Sequence, residues 1–188
     1  MPAPITEERN RRDREELLDA AERLLYARGV RAVSMDEIRA ASGLPLKRIY
    51  RFFATKEELV VAMLRRRDLR WRGNLATHVE RVADPYERVL AVFDWLAGWF
   101  AEPGFRGCAW INAFGELGAS SEAVLAEVRA HKRAFRDQLG AWVGATGVPV
   151  AEPVFLLAEG AMVTAAISGD PAPAHQARAA VARLLSPP

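Results

Sequence analysis

One segment constrains the fold more than any other part of the sequence: Ser34–Leu59, SMDEIRAASGLPLKRIYRFFATKEEL. It begins with a capping box, in which the Ser34 hydroxyl accepts a backbone N–H and Glu37 reaches back to the serine. A short helix should follow and end at Gly43, because glycine adopts the left-handed conformation that closes a helix without steric cost. Pro45 then stands at the start of a second helix, where its missing N–H does no harm.

The second helix is amphipathic, and a further capping box at residues 55–58, TKEE, begins the helix after it. A leucine stripe predicts another helix at about Arg12–Arg28 that covers the two short ones. Two short helices about a glycine turn form a helix-turn-helix, whose second helix enters the major groove of DNA. The predicted inner residues of that helix are Leu46, Ile49, Tyr50 and Phe53, and its predicted outer residues are Lys47, Arg48 and Arg51.

These residues carry a family resemblance. The sequence SGLPLKRIYRFFATKEEL resembles the signature of the TetR family of bacterial transcription regulators, and the detailed similarity covers roughly residues 12–62. The resemblance implies an all-α protein of about nine helices. An N-terminal helix-turn-helix DNA-binding head of three helices would occupy residues 1–55. A larger helical domain for ligand binding and dimerisation would occupy residues 56–188.

The resemblance also implies roles for the helix-turn-helix side chains. Lys47 and Arg48 should contact bases, with Leu46 near a thymine methyl group, which agrees with the preference of basic side chains for guanine. Ser34, Tyr50 and Lys56 should hold phosphates, although Tyr50 could also be a core residue. Two positions depart from the family pattern: a proline replaces a serine or threonine that contacts phosphate, and an arginine replaces an alanine. The predicted DNA-binding residues are Ser34, Arg39, Pro45, Leu46, Lys47, Arg48, Tyr50, Arg51 and Lys56.

Charge is distributed unevenly along the chain. The net charge is only +2, but residues 1–81 contain 18 Lys and Arg against 13 Asp and Glu, whereas residues 82–188 contain 8 against 11. A basic N-terminal part is typical of a protein that binds a polyanion, although arginine-rich composition alone could reflect a GC-rich genome. Residues 1–10 are predicted to form a loose basic arm that either enters the minor groove or stays solvated. The arginines of residues 65–72 could form a second nucleic-acid patch or a solvated connecting segment.

The remaining chain is predicted to be helical, with helices at about residues 56–82, 84–102, 107–116, 121–143, 149–168 and 173–185. The N-terminus lacks the pattern of a signal peptide. The apolar run 154–167 contains Glu159 and is too short to span a bilayer. We therefore expect a cytoplasmic protein without a membrane partner. The single cysteine, Cys108, fits a reducing compartment.

The C-terminal domain holds more aromatic residues than a small helical core requires, which favours a ligand pocket. Asn112 and Glu116 are four residues apart, so they share one face of a helix and could supply its polar groups. Aromatic residues at helical spacing also fill ordinary cores, and core packing remains the alternative. The predicted ligand-binding residues are Phe93, Trp95, Trp99, Trp110, Asn112, Phe114 and Glu116.

No catalytic pattern is present, since the sequence lacks a phosphate-binding glycine loop, GxSxG and HExxH. His78, His131 and His175 lack metal-ligand spacing, so we expect packing or surface histidines, no enzyme activity, no cofactor and no metal. The resemblance implies a homodimer that pairs through its last two helices. It would repress from a palindromic operator and be released by a small hydrophobic or aromatic effector. Two alternatives stay open: a redox-responsive regulator acting through Cys108, which could equally be a buried small hydrophobe, and an effector-independent DNA-binding protein.

Overall fold

The computed structural model describes residues 6–186, and within them the chain forms nine α-helices and no β-strand. The predicted all-α fold is confirmed. The predicted helix ends agree with the structure to within a few residues, except at the start of the first helix. The helices are α1 (Glu7–Arg28), α2 (Met35–Ser42), α3 (Leu46–Phe52), α4 (Lys56–Val79), α5 (Pro85–Phe100), α6 (Ala109–Leu117), α7 (Glu122–Gly144), α8 (Ala151–Ser168) and α9 (Ala172–Leu185).

The first helix begins earlier than predicted because Thr6 caps it. The Thr6 hydroxyl accepts the backbone N–H of Arg9 at 3.3 Å. Two glutamates in the first turn also suit the positive end of the helix dipole. Arg9 and its neighbours therefore lie on α1, and the prediction of a loose arm was wrong for residues 7–10. Residues 1–5 of that predicted arm lie outside the described residues.

Contacts divide the described chain into two compact units. The first comprises the described residues up to Arg67 together with Asn112–Val128, and the second comprises Asp68–Ile111 with the described residues from Arg129 onward. The helices α4, α6 and α7 therefore each contribute residues to both units. The predicted functional boundary between residues 55 and 56 stays a prediction.

The first unit has an apolar core built by α1, α2, α3 and the first turns of α4. The residue after α2, Gly43, has a φ of 68°, which is the left-handed helix end predicted from the sequence. Thr55 accepts the N–H of Glu58 at 3.1 Å, while the Glu58 carboxylate accepts the N–H of Ala54 at 2.8 Å. These caps fix where the short helices begin and end. The fully buried core residues include Leu17, Leu18, Ile38, Ile49, Leu59 and Leu64.

The second unit is organised around α5, which contacts α8 and α9. Asp84 caps α5 as predicted, since its carboxylate accepts the N–H of Glu87 at 2.9 Å. Pro85 occupies the first helical position, where no backbone donor is needed. Most of the helix is buried, including Val92 and Phe93 at 0 % exposure. A helix that is apolar over most of its circumference is expected to be buried in this way.

By length and composition, α8 could cross a membrane: it has 18 residues, a mean hydropathy of 1.3 and 33 % of its residues buried. The apolar run of residues 154–167 is shorter than this helix, and the expectation that it does not span a bilayer stays a prediction. Core helices of soluble proteins meet the same criterion. The Glu159 carboxylate within α8 pairs with Lys132 at 2.5 Å. Because Lys132 lies on α7, this ion pair joins two helices, which favours packing of α8 against protein over contact with lipid.

Candidate nucleic-acid interface

The N-terminus of α2 presents an exposed serine in a capping box. Ser34 Oγ accepts the N–H of Glu37 at 3.2 Å, and the Glu37 carboxylate accepts the N–H of Ser34 at 2.7 Å. The bond from the Ser34 backbone, followed by that from Arg28 at 2.7 Å, lowers the pKa of Glu37 to about 2. Ser34 is therefore held at a helix N-terminus with its side chain open to solvent.

The outer face of α3, defined as Leu46, Lys47, Tyr50 and Arg51, consists of exposed side chains. Residues i and i+4 share a helical face, so these four form two adjacent rows. Leu46 is 37 % exposed and Tyr50 is 45 % exposed, and the prediction that both face inward was wrong. The reason is that the inner side of this seven-residue helix is already filled by Ile49, at 0 % exposure, and by Phe53, the residue that follows the helix.

Arg48 does not project from α3 into solvent, and that prediction was also wrong. Its guanidinium lies 3.0 Å from the Asp13 carboxylate of α1 and stacks over the Phe52 ring at 4.6 Å from the centroid. The side chains of Arg48 and Asp13 are only 11 % and 10 % exposed. A carboxylate this deeply buried requires a cation, which Arg48 supplies. The predicted base contact of Arg48 stays a prediction, and it would require the side chain to leave Asp13.

Two further predicted residues lie beside this face. Pro45 is exposed and precedes α3 without a side-chain cap. Arg39 is exposed on α2, with its Nε 3.4 Å from the carboxylate of Asp36. Exposed pairs of this kind contribute little to stability. The Arg39 guanidinium can therefore exchange Asp36 for another anion at small cost.

Lys56 is turned into the first unit. Its ammonium donates hydrogen bonds to the carbonyl oxygens of Val30 and Val33. Burial lowers the pKa of Lys56 below its ordinary value, while the negative charges of Glu116 and Glu37 act in the opposite direction. The predicted phosphate contact stays a prediction, but the ammonium already has two acceptors within the protein.

The arginines that follow on α4 are paired with acidic residues of α1. Arg66 bonds the carboxylates of Glu15 at 2.8 Å and Asp19 at 2.7 Å, and its side chain is 16 % exposed. Arg67 bonds Glu22 at 2.6 Å and is 14 % exposed. The three acids repeat at i, i+4 and i+7, so they form one row along α1. The prediction of a solvated segment was wrong for Arg66 and Arg67, and their charges are largely neutralised within the protein.

The predicted ligand-binding residues belong to different compact units. Asn112, Phe114 and Glu116 belong to the first unit, and Phe93, Trp95, Trp99 and Trp110 belong to the second. Asn112 is exposed, and Phe114 is 53 % exposed. The Glu116 carboxylate accepts the backbone N–H groups of Val30 and Arg31 at 2.8 and 2.7 Å. A role of Asn112 or Glu116 in a pocket stays a prediction, and Glu116 has a structural partner instead.

An aromatic cluster, defined as Trp71, Trp95, Trp99, Trp110 and His131, lies in the second unit. Trp71 meets the rings of Trp95 and Trp99 edge-on at 5.2 and 5.5 Å, and Trp110 stacks on His131 at 3.5 Å. Within the described residues, the buried indole N–H groups of Trp71 and Trp110 have no hydrogen-bond acceptor. Trp71 is not among the predicted site residues, because it follows an arginine run and its ring contacts lie on α5, distant in the sequence.

The histidine of this cluster is neutral near pH 7. His131 Nδ1 lies 2.6 Å from the carboxylate of Asp68, which also accepts a hydrogen bond from Arg72 at 2.6 Å. Burial lowers the pKa of His131 to about 4. Although burial raises the pKa of Asp68, the hydrogen bonds from His131 and Arg72 lower it to about 2. His131 therefore donates its Nδ1–H to an ionised carboxylate, as a packing histidine.

Cys108 is 3 % exposed and contacts a lysine. Lys132 Nζ donates to its sulfur at 3.4 Å and to the Glu159 carboxylate at 2.5 Å. In the part of the chain that the structure describes, no group of three or more His, Cys, Asp or Glu side chains could hold a metal ion. The one candidate redox group is thus a buried thiol beside a paired ammonium.

Known proteins resemble this chain in the segment that forms the helix-turn-helix and beyond it. A family model described as bacterial regulatory proteins, tetR family, matches residues 17–63. The transcriptional regulator BetI of Rhizobium meliloti is 30 % identical over 150 residues, which cover 79 % of this chain and 71 % of BetI. The chain belongs to the TetR family. Members of the TetR family are transcriptional regulators and not enzymes, which agrees with the absence of a catalytic pattern in the sequence.

Other relatives define how far the similarity reaches. Two uncharacterized HTH-type transcriptional regulators of Mycobacterium tuberculosis are 35 % identical over 74 residues, and the chain spans only 37 % of their length. A TetR-family regulator from Streptomyces coelicolor superposes with a TM-score of 0.85 at 28 % identity, covering 92 % of this chain and 94 % of that one. NemR of E. coli, in its reduced form, gives 0.81 at 24 % identity, covering 90 % and 95 %. The TetR-family fold therefore extends over nearly the whole chain.

Proposed function

We propose that this TetR-family chain is a transcriptional regulator that binds operator DNA through the outer face of α3. The observation that carries the proposal is the set of four exposed side chains, Leu46, Lys47, Tyr50 and Arg51, inside the segment that the family model matches. Lysine and arginine suit guanine O6 and N7, and leucine suits the thymine methyl group. Ser34 at the N-terminus of α2 would hold a phosphate.

The regulator would act as a homodimer that pairs through α8 and α9. Leu156, Val163 and Ile167 lie on one face of α8 and are 58 %, 38 % and 82 % exposed. A groove beside them is lined by small residues of both helices, including Gly160 and Ala177. An exposed apolar face of this kind marks a protein contact, and a two-fold dimer would bury the same face on both subunits.

Two-fold symmetry predicts a palindromic operator. The two copies of α3 would enter major grooves about one helical turn apart, roughly 34–36 Å, or a multiple of that distance. The regulator would act in the cytoplasm as a repressor that blocks transcription while it occupies the operator.

A small hydrophobic or aromatic effector would release the DNA. The aromatic cluster supports this because ligand sites are mostly apolar with a few placed polar groups. The acceptor-free indole N–H groups of Trp71 and Trp110 favour an effector that carries a hydrogen-bond acceptor. The effector would tilt α4 and change the spacing of the two α3 helices. It releases DNA only to the extent that it binds more tightly to the DNA-incompetent spacing.

A second candidate is redox control through Cys108. The 3.4 Å contact with Lys132 favours it, because reactive cysteines are typically found beside cationic side chains. Peroxide would then weaken operator binding by the wild type and leave a Cys108→Ser variant unaffected. An effector-independent DNA-binding protein, the remaining alternative, would respond neither to peroxide nor to any compound in a thermal-shift screen.

The deciding experiment is selection of DNA from a random duplex pool by the purified chain at moderate salt. We expect an enriched inverted repeat whose affinity falls steeply as salt concentration rises, because phosphate contacts release counterions. Sedimentation of the complex should give two chains per duplex. A monomeric protein that retains no duplex would overturn the proposal.

A further inference from the structure

The turn between α1 and α2, residues 29–33, is bonded by charged side chains from two distant parts of the chain. Glu116, near the end of α6, accepts the N–H of Val30 at 2.8 Å and that of Arg31 at 2.7 Å. Lys56, at the start of α4, donates to the carbonyl oxygens of Val30 and Val33. A carboxylate thus holds the amides of this turn, and an ammonium holds its carbonyls.

Three observations make the Glu116 contact specific. Both carboxylate oxygens are used, one for each amide, and Val30 is buried at 7 % exposure, so its N–H has little access to water. Gly29 has a φ of 91°, and a Cβ built there would lie 3.0 Å from the Glu116 carboxylate. A negative charge in the last turn of a helix is also opposed by the helix dipole. The end of α6 therefore disfavours the negative charge of Glu116, and the two backbone amides of the turn stabilise that charge.

The position of this contact gives it a role beyond local stability. The turn leads directly into α2, and Ser34 follows Arg31 by three residues. Both α4 and α6 contribute residues to each of the two compact units. Glu116 and Lys56 thus tie the start of the helix-turn-helix to two helices that continue outside the first unit.

We propose, on the basis of the proposed DNA-binding function, that Glu116 is a positioning residue that couples α6 to the helix-turn-helix. A displacement of α6 moves the carboxylate, and the carboxylate moves the turn that sets where α2 begins. Lys56 bonds the same turn from α4, so the position of the turn depends on α4 as well as on α6. Coupling between two sites is reciprocal. DNA bound at α2 and α3 must therefore alter the stability of α6. This change in stability can be measured without an effector.

The test is amide hydrogen exchange of the full chain, with and without the selected operator duplex. The variants are Glu116→Gln, which keeps the shape but loses the charge, and Glu122→Gln as a control at an exposed position of the same unit. Without DNA, we expect residues 29–33 of Glu116→Gln to exchange about tenfold faster or more, since a charged hydrogen bond is lost. With DNA, exchange in α6 should slow in the wild type and in Glu122→Gln, but not in Glu116→Gln.

A merely structural contact gives a different result. In that case Glu116→Gln would lower stability, but the response of α6 to DNA would equal that of the wild type. This outcome overturns the coupling proposal and leaves the proposed DNA-binding function unaffected. A wild type that retains no duplex overturns the proposed function, and the coupling proposal with it. Lys56→Met provides a second variant and should also abolish the α6 response. If Lys56 only contacts phosphate, its loss lowers affinity and leaves the α6 response intact, which counts against the proposal.

Discussion

The Arg48 guanidinium lies 3.0 Å from the Asp13 carboxylate, and both side chains are nearly buried. The central cation of α3 thus holds α3 against α1. A loss of DNA affinity in an Arg48→Ala variant would not identify its cause, because the change removes a cation and also leaves Asp13 buried without a partner. Lys47, one residue earlier, is exposed and is the cleaner probe of the DNA contact.

The first prediction concerns the stability of this ion pair. In Asp13→Asn, the Arg48 charge stays in place without its counterion, and the free energy of unfolding should fall by about 2–4 kcal/mol. Urea denaturation measures the change. Asp137→Asn, at an exposed position of α7, is the matched control and should change stability by less than about 0.5 kcal/mol. Equal stability of the two variants would show that the ion pair contributes nothing.

The second prediction concerns DNA recognition. Lys47→Ala should weaken binding to the selected duplex by about 1–3 kcal/mol if Lys47 contacts a base, and leave the unfolding midpoint unchanged. If Lys47 contacts phosphate, binding should weaken evenly across sequences and the salt slope should fall by about 1. Gel-shift titrations at several salt concentrations distinguish the two. Arg81→Ala removes another exposed cation, which follows α4, and should bind like the wild type. Wild-type affinity in Lys47→Ala would remove this residue from the interface.

Local signals in the sequence were sufficient to predict where the helices lie. Capping residues such as Ser34 and Asp84 form the predicted bonds, because a cap depends on neighbours only three residues away. Thr6 is the exception: it caps α1 although the basic residues after it are typical of a loose arm. Helix periodicity likewise located the core position Ile49.

The side-chain environments could not be predicted in the same way, because they depend on partners far along the chain. Arg48 and Asp13 are 35 residues apart, and Glu116 and Val30 are 86 apart. Nothing within one turn of Glu116 indicates that its carboxylate binds backbone amides. Asn112 and Glu116 do share one helix face, but that spacing does not show what the face contacts.

The third prediction concerns pH. The pKa of His131 is about 4 in the folded protein and 6.5 in its ordinary state. Between these values the unfolded chain binds a proton that the folded chain does not, so stability should fall as pH decreases from 6.5 to 4, by up to about 3 kcal/mol. Asp68, with a pKa of about 2, adds a further loss below pH 4. Thermal melts across this range should show a smaller slope for His131→Gln and an unchanged slope for His78→Gln, whose histidine is exposed. Equal slopes would exclude His131 as the cause.

The last prediction concerns the dimer, and it rests on a comparison of two exposed apolar residues. Ile167 on α8 is 82 % exposed and Leu69 on α4 is 71 % exposed. In a monomer, a charged substitution should therefore have a similarly small effect at either position. Only Ile167 belongs to the apolar face that α8 would bury against a second copy. Ile167→Glu would place a carboxylate from each subunit in this contact without a partner, which costs far more at an interface than in solvent. Sedimentation velocity should therefore show monomers for Ile167→Glu and dimers for Leu69→Glu. Operator affinity should fall only in Ile167→Glu. This variant loses the dimer, so each half-site would be bound by a separate chain. A dimeric Ile167→Glu variant would assign the subunit contact to another surface.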